Sequence, residues 1–191
     1  MNIHKISYYV SSLVALQEKL ICKWDILSFL LNRQSVIHLN EGTYKIRTLL
    51  DMLILKETII DDFYLLSECN YNSTRTIVDI GAGFGDFSIF AARMFPDATI
   101  YAFEPNPTLY KLLEENIKRN DTRNIVPSYY AVSNKKAIDL YFPSEPTQST
   151  YSNITSSDCK IRVKGVPLSS LLIKQKIDFL KIDCEGGSGI L

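Results

Sequence analysis

Four acidic residues and one run of glycines carry the chemistry this sequence can do. Asp79 lies in the short apolar run Ile77-Val78-Asp79-Ile80, which leads straight into Gly81-Ala82-Gly83-Phe84-Gly85. Phe87-Ser88-Ile89-Phe90-Ala91-Ala92 follows with a helical composition. Strand, glycine loop and helix in that order make a cradle, because glycine accepts positive φ and lets a ligand approach where a Cβ would collide. The start of the helix adds free N–H groups and the positive end of a dipole. Glu104 closes a second β-rich run, Thr99-Ile100-Tyr101-Ala102-Phe103, and Asp183 and Glu185 close a third that starts at Ile177.

Spacing narrows the ligand. A dinucleotide loop reads Gly-x-Gly-x-x-Gly and seats a pyrophosphate on the helix N-terminus. Here Gly85 arrives one residue early and Asp86 takes the third glycine's place, where its charge would repel a pyrophosphate. No Gly-Lys-Ser/Thr follows, so the loop is not a P-loop. Asp79, two residues before the first glycine, suits a cationic amino group. Asp-x-Gly-x-Gly-x-Gly after a strand is the S-adenosylmethionine pattern, and that cofactor carries an ammonium, a sulfonium and no phosphate. Glu104 follows at a distance that fits one helix and one turn, as a βαβ crossover requires. A carboxylate there commonly accepts hydrogen bonds from both ribose hydroxyls. The plainer alternatives are a glycine-rich turn without a ligand and a solvated strand end.

Several elements must position these groups. Asn106 is a good N-cap and Pro107 a good first helical residue, ahead of the apolar stripe Leu109, Leu112, Leu113 and Ile117. Ile125 to Val132 reads as a third core strand broken by Pro127, with Ala131 and Val132 placed to line an adenine. Ala137 to Phe142 and Lys160 to Val166 are short alternating runs. The turn-rich stretch Pro143 to Ser157 between them reads equally as a loop over the site or a surface hairpin. In an open parallel sheet, ligands bind beyond the carboxyl ends of the strands, at the switch in strand order. The strand before Asp183 and Glu185 is therefore expected beside the strand that feeds the glycine loop. These carboxylates would grip a sulfonium region, orient a hydroxyl or hold a divalent ion; capping a following helix is the alternative. Residues 1 to 45 are predicted helical from Leu13, Leu16, Leu20 and Leu27, with Trp24 and Phe29 adding bulk, and would pack on the main domain or a second subunit. Residues 46 to 66 form a strand-or-helix approach, in which Glu57, Asp61 and Asp62 read as a solvated face.

Composition fits a cytosolic α/β domain. The 191 residues are 46% hydrophobic and 22% charged with zero formal net charge, enough for one core with an appendage. Neutrality removes the general attraction to nucleic acid or an acidic membrane, although Lys118, Arg119 and Arg123 form a local basic patch. No run is long and apolar enough to span a bilayer. Cys22, Cys69, Cys159 and Cys184 are too scattered for a Cys-x-x-Cys site, and at least some of them read as free, buried thiols. His4 and His38 are the sole histidines, so a His-based metal site is not expected, and no residue is assigned as a metal ligand.

From about Ile46 onward the chain resembles the FkbM family of S-adenosylmethionine-dependent methyltransferases. The resemblance rests on V-D-I-G-A-G-F-G-D-F-S (Val78 to Ser88), A-F-E-P-N-P (Ala102 to Pro107), A-V-S-N (Ala131 to Asn134) and F-L-K-I-D-C-E-G (Phe179 to Gly186). It implies a Rossmann-like class I methyltransferase fold, a mostly parallel sheet with helices on both faces, spanning 46–191 behind the N-terminal helical segment. It further implies O-methylation of a small-molecule or sugar hydroxyl. Carried over by position, Asp79, Gly81 and Gly83 contact the methionine part and Glu104 the ribose, while Asp183 lies beside the methyl group. Ala82, Gly85, Pro105, Asn106, Ala131 and Val132 complete the expected cofactor contacts. Asp183, or else Glu185, takes the hydroxyl proton during in-line displacement. Gly83 stands where such proteins often have Asn or His, and Gly187-Ser188-Gly189 is less acidic than the usual continuation. The closing strands of the class I sheet would follow Leu191, so the domain is expected to be C-terminally incomplete. A tRNA methyltransferase, or a non-catalytic remnant that binds cofactor or a partner, is the alternative. A homodimer is compatible with the leucine-rich N-terminus.

Overall fold

The computed structural model describes residues 11–142, 159–171 and 176–184, apart from 13, 17, 23, 33 and 34. Glu185 and the stretch Pro143 to Ser157 lie outside the described residues. In chain order the elements are α1 (Trp24–Asn32), β1 (Ser35–Leu39), β2 (Gly42–Ile46) and α2 (Leu49–Leu55), which runs into a π-helical turn, Lys56–Ile60. A 3-10 turn (Leu66–Glu68), β3 (Thr76–Ile80), α3 (Asp86–Met94), β4 (Thr99–Phe103), α4 (Pro107–Asn120) and β5 (Ile125–Ser128) follow. The remainder is β6 (Ala131–Val132), β7 (Ala137–Phe142), β8 (Cys159–Val166), α5 (Leu168–Leu171) and β9 (Phe179–Ile182).

The main sheet is parallel throughout, with strand order β5-β4-β3-β9. β3 is buried along its whole length, which is why it reads as an unbroken apolar run around Asp79. β5 is an edge strand, where Pro127 can lack an N–H without breaking the ladder. One face of the sheet carries α3 and α4, whose Phe87, Ile89, Leu109 and Leu113 pack with Ile77, Ile100 and Ile125. The other face is covered by Val132 and by Leu168 of α5, against Val78, Ile80 and Phe103. This is the expected α/β class, with helices on both faces.

Two expectations about elements need correcting. Ile125 to Val132 is not one strand: it breaks after Ser128, and Ala131-Val132 pairs in parallel with β8 in a second sheet of order β6-β8-β7. Residues 1 to 45 are not uniformly helical either, because Ser35–Ile46 forms an antiparallel hairpin. Its buried residues Ile37, Leu39, Tyr44 and Ile46 follow the two-residue period of strands. The leucine stripe is divided as well: Leu16, Leu20 and Phe29 are buried, while Trp24 is 72% exposed and Leu27 lies outward. Leu16, Leu20, Phe29 and the hairpin share one continuous core with the sheet helices. Cys22 and Cys69 are half-buried and Cys184 is exposed; all three are free, as expected, and none of the three is fully buried. Among the described residues no helix is long and apolar enough to cross a membrane.

The hairpin is tied to α4 by a side-chain ladder. Asn116 Oδ1 accepts from the Lys45 N–H (2.7 Å), and its Nδ2 donates to the Lys45 and Phe84 carbonyls (3.1 and 2.9 Å). Asn120 repeats the pattern on Thr43 (2.8 and 2.7 Å). Four residues of helix rise about 6 Å and two residues of strand about 6.8 Å, so amides at i and i+4 match alternate peptides of β2. Two asparagines thereby finish the edge of the hairpin as a neighbouring strand would. Asn116→Leu strips partners from the buried Phe84 carbonyl and from the half-buried N–H and carbonyl of Lys45, and we expect it to lower unfolding free energy by about 3 kcal/mol in a urea titration.

Candidate functional site

The strand order reverses at β3: β4 and β5 extend to one side and β9 to the other. Crevices at such a reversal, outside the carboxyl ends of the strands, are where open α/β sheets bind ligands. The glycine loop, Glu104 and Asp183 all lie at that end. Gly81, Gly83 and Gly85 all have positive φ (80°, 57° and 92°). Gly81 is required twice over, since a Cβ there would also run into the backbone carbonyl of Asp183. A Cβ at Gly83 would meet nothing nearer than 4.0 Å, so that residue borders open space.

The loop's N–H groups turn inward. Gly81 and Ala82 both donate to the Phe103 carbonyl (2.9 and 3.0 Å), Gly83 to Glu104 Oε2 (2.8 Å) and Gly85 to the Ala82 carbonyl (2.9 Å). Successive N–H groups aimed at a common point make an anion site, and here that arrangement is missing. At the first turn of α3, Asp86 is buried and bonded by Thr58 Oγ1 (2.6 Å). Burial lifts its carboxyl to about 6. No side chain caps the N–H groups at this helix start, but the buried Asp86 carboxyl beside them serves a phosphate poorly.

Glu104 is 3% exposed. Its Oε1 accepts from the Asn106 N–H and its Oε2 from the Gly83 N–H, both at 2.8 Å. Burial pushes its carboxyl up to about 7, against the lowering by those two bonds. Asn106 is also the N-cap of α4, accepting from Thr108 and Leu109 N–H groups as expected, and Pro105 bridges the two residues. Ala131 packs with Ile138 and Val163, and Val132 with Phe103 and Ile80.

Asp79 is fully buried, and each of its oxygens has a partner. Ser88 Oγ donates to its Oδ2 at 2.6 Å and Lys181 Nζ to its Oδ1 at 2.9 Å. The cation beside Asp79 is therefore a protein ammonium, and Lys181 also holds the Gly81 carbonyl at 3.1 Å. Burial works against the charge on Lys181, but attraction from Asp79 and Asp86 outweighs it and holds the ammonium's pKa above its usual value. The rings of Tyr64 and Phe87 stand 5.2 and 5.6 Å from Nζ. Sequence reasoning missed Lys181. Its signal was a lysine at the inward position between outward-facing Leu180 and Ile182 of a strand. Asp183 is exposed just beyond β9 and accepts from the Tyr64 hydroxyl at 2.6 Å. Among the described residues no cluster of His, Cys, Asp and Glu could hold a metal ion.

Known proteins resemble this chain in sequence. The family model for the methyltransferase FkbM domain matches residues 79–187. Methyltransferase sdnD of Sordaria araneosa is 36% identical over 110 residues, which is 56% of this chain and 42% of that protein. The 31-O-demethyl-FK506 methyltransferase FkbM of Streptomyces tacrolimicus is 30% identical over 89 residues, covering 47% and 32%. A tRNA(Phe) (4-demethylwyosine(37)-C(7)) aminocarboxypropyltransferase of Methanocaldococcus jannaschii is 43% identical over 56 residues, covering 29% and 22%. The chain thus spans less than half the length of each of these relatives.

The buried pair has a direct test. Lys181→Met leaves Asp79 in the interior without its countercharge, held by Ser88 alone, and we expect a loss of about 3–5 kcal/mol in chemical denaturation at pH 7. Adding Asp79→Asn to that variant should recover at least half of the loss, because the orphaned charge is then gone.

Proposed function

This chain belongs to the FkbM methyltransferase family, and from that premise we propose that it binds S-adenosylmethionine and serves methyl transfer to a hydroxyl of a small molecule. The observation that carries this reading is the clamp on Glu104. Each of its oxygens accepts one backbone N–H, and a carboxylate oxygen accepts two hydrogen bonds. One acceptor site remains on each oxygen, which suits the paired hydroxyls of a ribose. The loop beside it has its N–H groups turned inward and open space at Gly83, which suits a nucleoside without phosphates.

Charge supports the same ligand. Among the described residues, Asp79, Asp86, Glu104 and Asp183 gather around the ammonium of Lys181 at these strand ends. That surplus of carboxylates favours a cationic ligand. Bound there, S-adenosylmethionine supplies an electrophilic methyl group on a sulfonium. Gly81, Ala82, Gly83 and Gly85 shape its bed, Pro105 and Asn106 fix Glu104, and Val132 and Ala131 border the apolar side. Asp183, exposed and already ordered by Tyr64, is the group suited to take the acceptor's proton as attack proceeds. Glu185, two residues on, is the other candidate. The M. jannaschii relative, whose name places its chemistry on a tRNA, favours a second reading in which the acceptor is RNA. The zero net charge of this chain weighs against it.

Calorimetric titration of S-adenosylhomocysteine tests the cofactor site. We expect saturable binding by the wild-type chain and at least tenfold weaker binding by Glu104→Ala; equal affinities would remove Glu104 from the site.

The pH dependence follows from the raised carboxyls. Glu104 must be ionised to accept two hydroxyls, so affinity should fall about tenfold per pH unit below about 7. Without ligand the sign reverses. Glu104 and Asp86 are shifted up from 4.5 and 3.8 to about 7 and about 6, so ionising them costs stability. The ligand-free protein should therefore lose stability as pH rises through that window, measured by denaturant midpoints at fixed ionic strength.

A further inference from the structure

We propose that Tyr64 is a positioning residue of the site: its hydroxyl fixes the Asp183 carboxylate at the end of β9 and leaves Oδ1 as the oxygen that receives the acceptor's proton. The inference rests on the reading of Asp183 as the proton acceptor.

Tyr64 comes from the strap between α2 and β3, far from Asp183 in sequence, and its Oη donates to Asp183 Oδ2 at 2.6 Å. Among the described residues, no hydrogen bond reaches Oδ1. The ring is held in place from two sides: it stands edge-on to Phe87 (centroids 5.3 Å, interplanar angle 78°) and to Phe63 (5.3 Å, 88°). Phe87 is itself buried and stacks on Phe179 of β9 (5.6 Å, 27°). Tyr64 is thus keyed to the strand that carries Asp183 by a ring contact as well as by the hydroxyl.

The strap's backbone has an uncommon shape that delivers this side chain. Asp62 and Leu65, neither of them glycine, have φ of 46° and 53°. Such conformations cost of order 1 kcal/mol or more each and persist when the surroundings impose them. Here the constraints are explicit. Asp62 accepts from the Leu66 and Ser67 N–H groups (2.8 and 3.0 Å), and the Leu65 N–H donates to the Asp62 carbonyl (2.7 Å). Upstream, the π-helical turn closes with the Asp61 N–H on the Lys56 carbonyl, and their side chains pair at 2.5 Å. Burial, followed by the bond to Asp183, pushes the Tyr64 phenol well above its usual range, so it stays a donor. The other charged or titratable groups around Asp183 are Lys181 and Asp79 beneath it, Asp86 from α3 and the adjacent Cys184.

The test is the side-chain carboxyl-carbon NMR signal of Asp183 at about pH 8 in the full chain, comparing wild type with Tyr64→Phe, which keeps the ring. A hydroxyl that donates to one oxygen perturbs the shielding of the carboxylate, so the Asp183 signal should move in the variant by more than any other aspartate signal. A purely structural role would lower the thermal midpoint and leave that signal where it was. An Asp183 signal unmoved in Tyr64→Phe overturns the proposal. S-adenosylhomocysteine titrated into the same two samples separates the two readings. No binding by the wild type would defeat the cofactor reading, while the carboxyl signal would still decide whether Tyr64 holds Asp183.

Discussion

The buried pair of Lys181 and Asp79 is the interaction on which the rest of the site depends. It joins neighbouring strands of the parallel sheet at their carboxyl ends, and through the Gly81 carbonyl it also holds the first residue of the glycine loop. Neither charge reaches water, and removing either partner alone would strand the other. The pair therefore works less as a source of net stability than as a specification of register. β9 can lie beside β3 only where the ammonium meets Asp79, and that alignment brings the Asp183 carbonyl against Gly81, where a Cβ could not fit. Ser88 completes the set by occupying the other oxygen of Asp79 from the first turns of α3.

The electrostatics of the surrounding carboxylates follow from that arrangement. Lys181 is bonded to Asp79, so its attraction only partly offsets the cost of burying Glu104 and Asp86. Their carboxyls are pushed up to about 7 and about 6. A ligand that brings positive charge and hydroxyl donors relieves both burdens, whereas one that brings phosphate adds to them. The inward-turned N–H groups of the loop reinforce this preference, because they leave an anion little to bind. On the reading proposed, cofactor selection is a property of the whole strand-end cluster and not of the glycine spacing alone.

The site is braced from outside the sheet as well. The asparagine ladder of α4 holds the hairpin, and Asn116 also reaches the Phe84 carbonyl within the glycine loop. The strap after α2 brings Thr58 to Asp86 and Tyr64 to Asp183. Hairpin, strap and sheet thus meet around one loop, which explains why the segment before residue 46 shares the sheet's core.

Short-range order made much of this legible in the sequence. Val78 to Ser88 announces strand, loop and helix because apolar run, glycines and helix formers follow one another directly, and Asn106-Pro107 marks a helix start by local capping chemistry. The adjacency of β3 and β9 could be anticipated from the rule that ligand-binding carboxylates gather at a switch in strand order. The hairpin at Ser35–Ile46 was obscured by the leucines before it, although its own alternation was present. What only the tertiary structure decided were partnerships across long separations: Lys181 with Asp79, Tyr64 with Asp183, Asn116 with Lys45. The physical reason is that a side chain's hydrogen-bond partner depends on which strands become neighbours and in what register. Glycine spacing and caps are satisfied within a few residues, whereas a buried charge finds its counterpart only when the sheet closes.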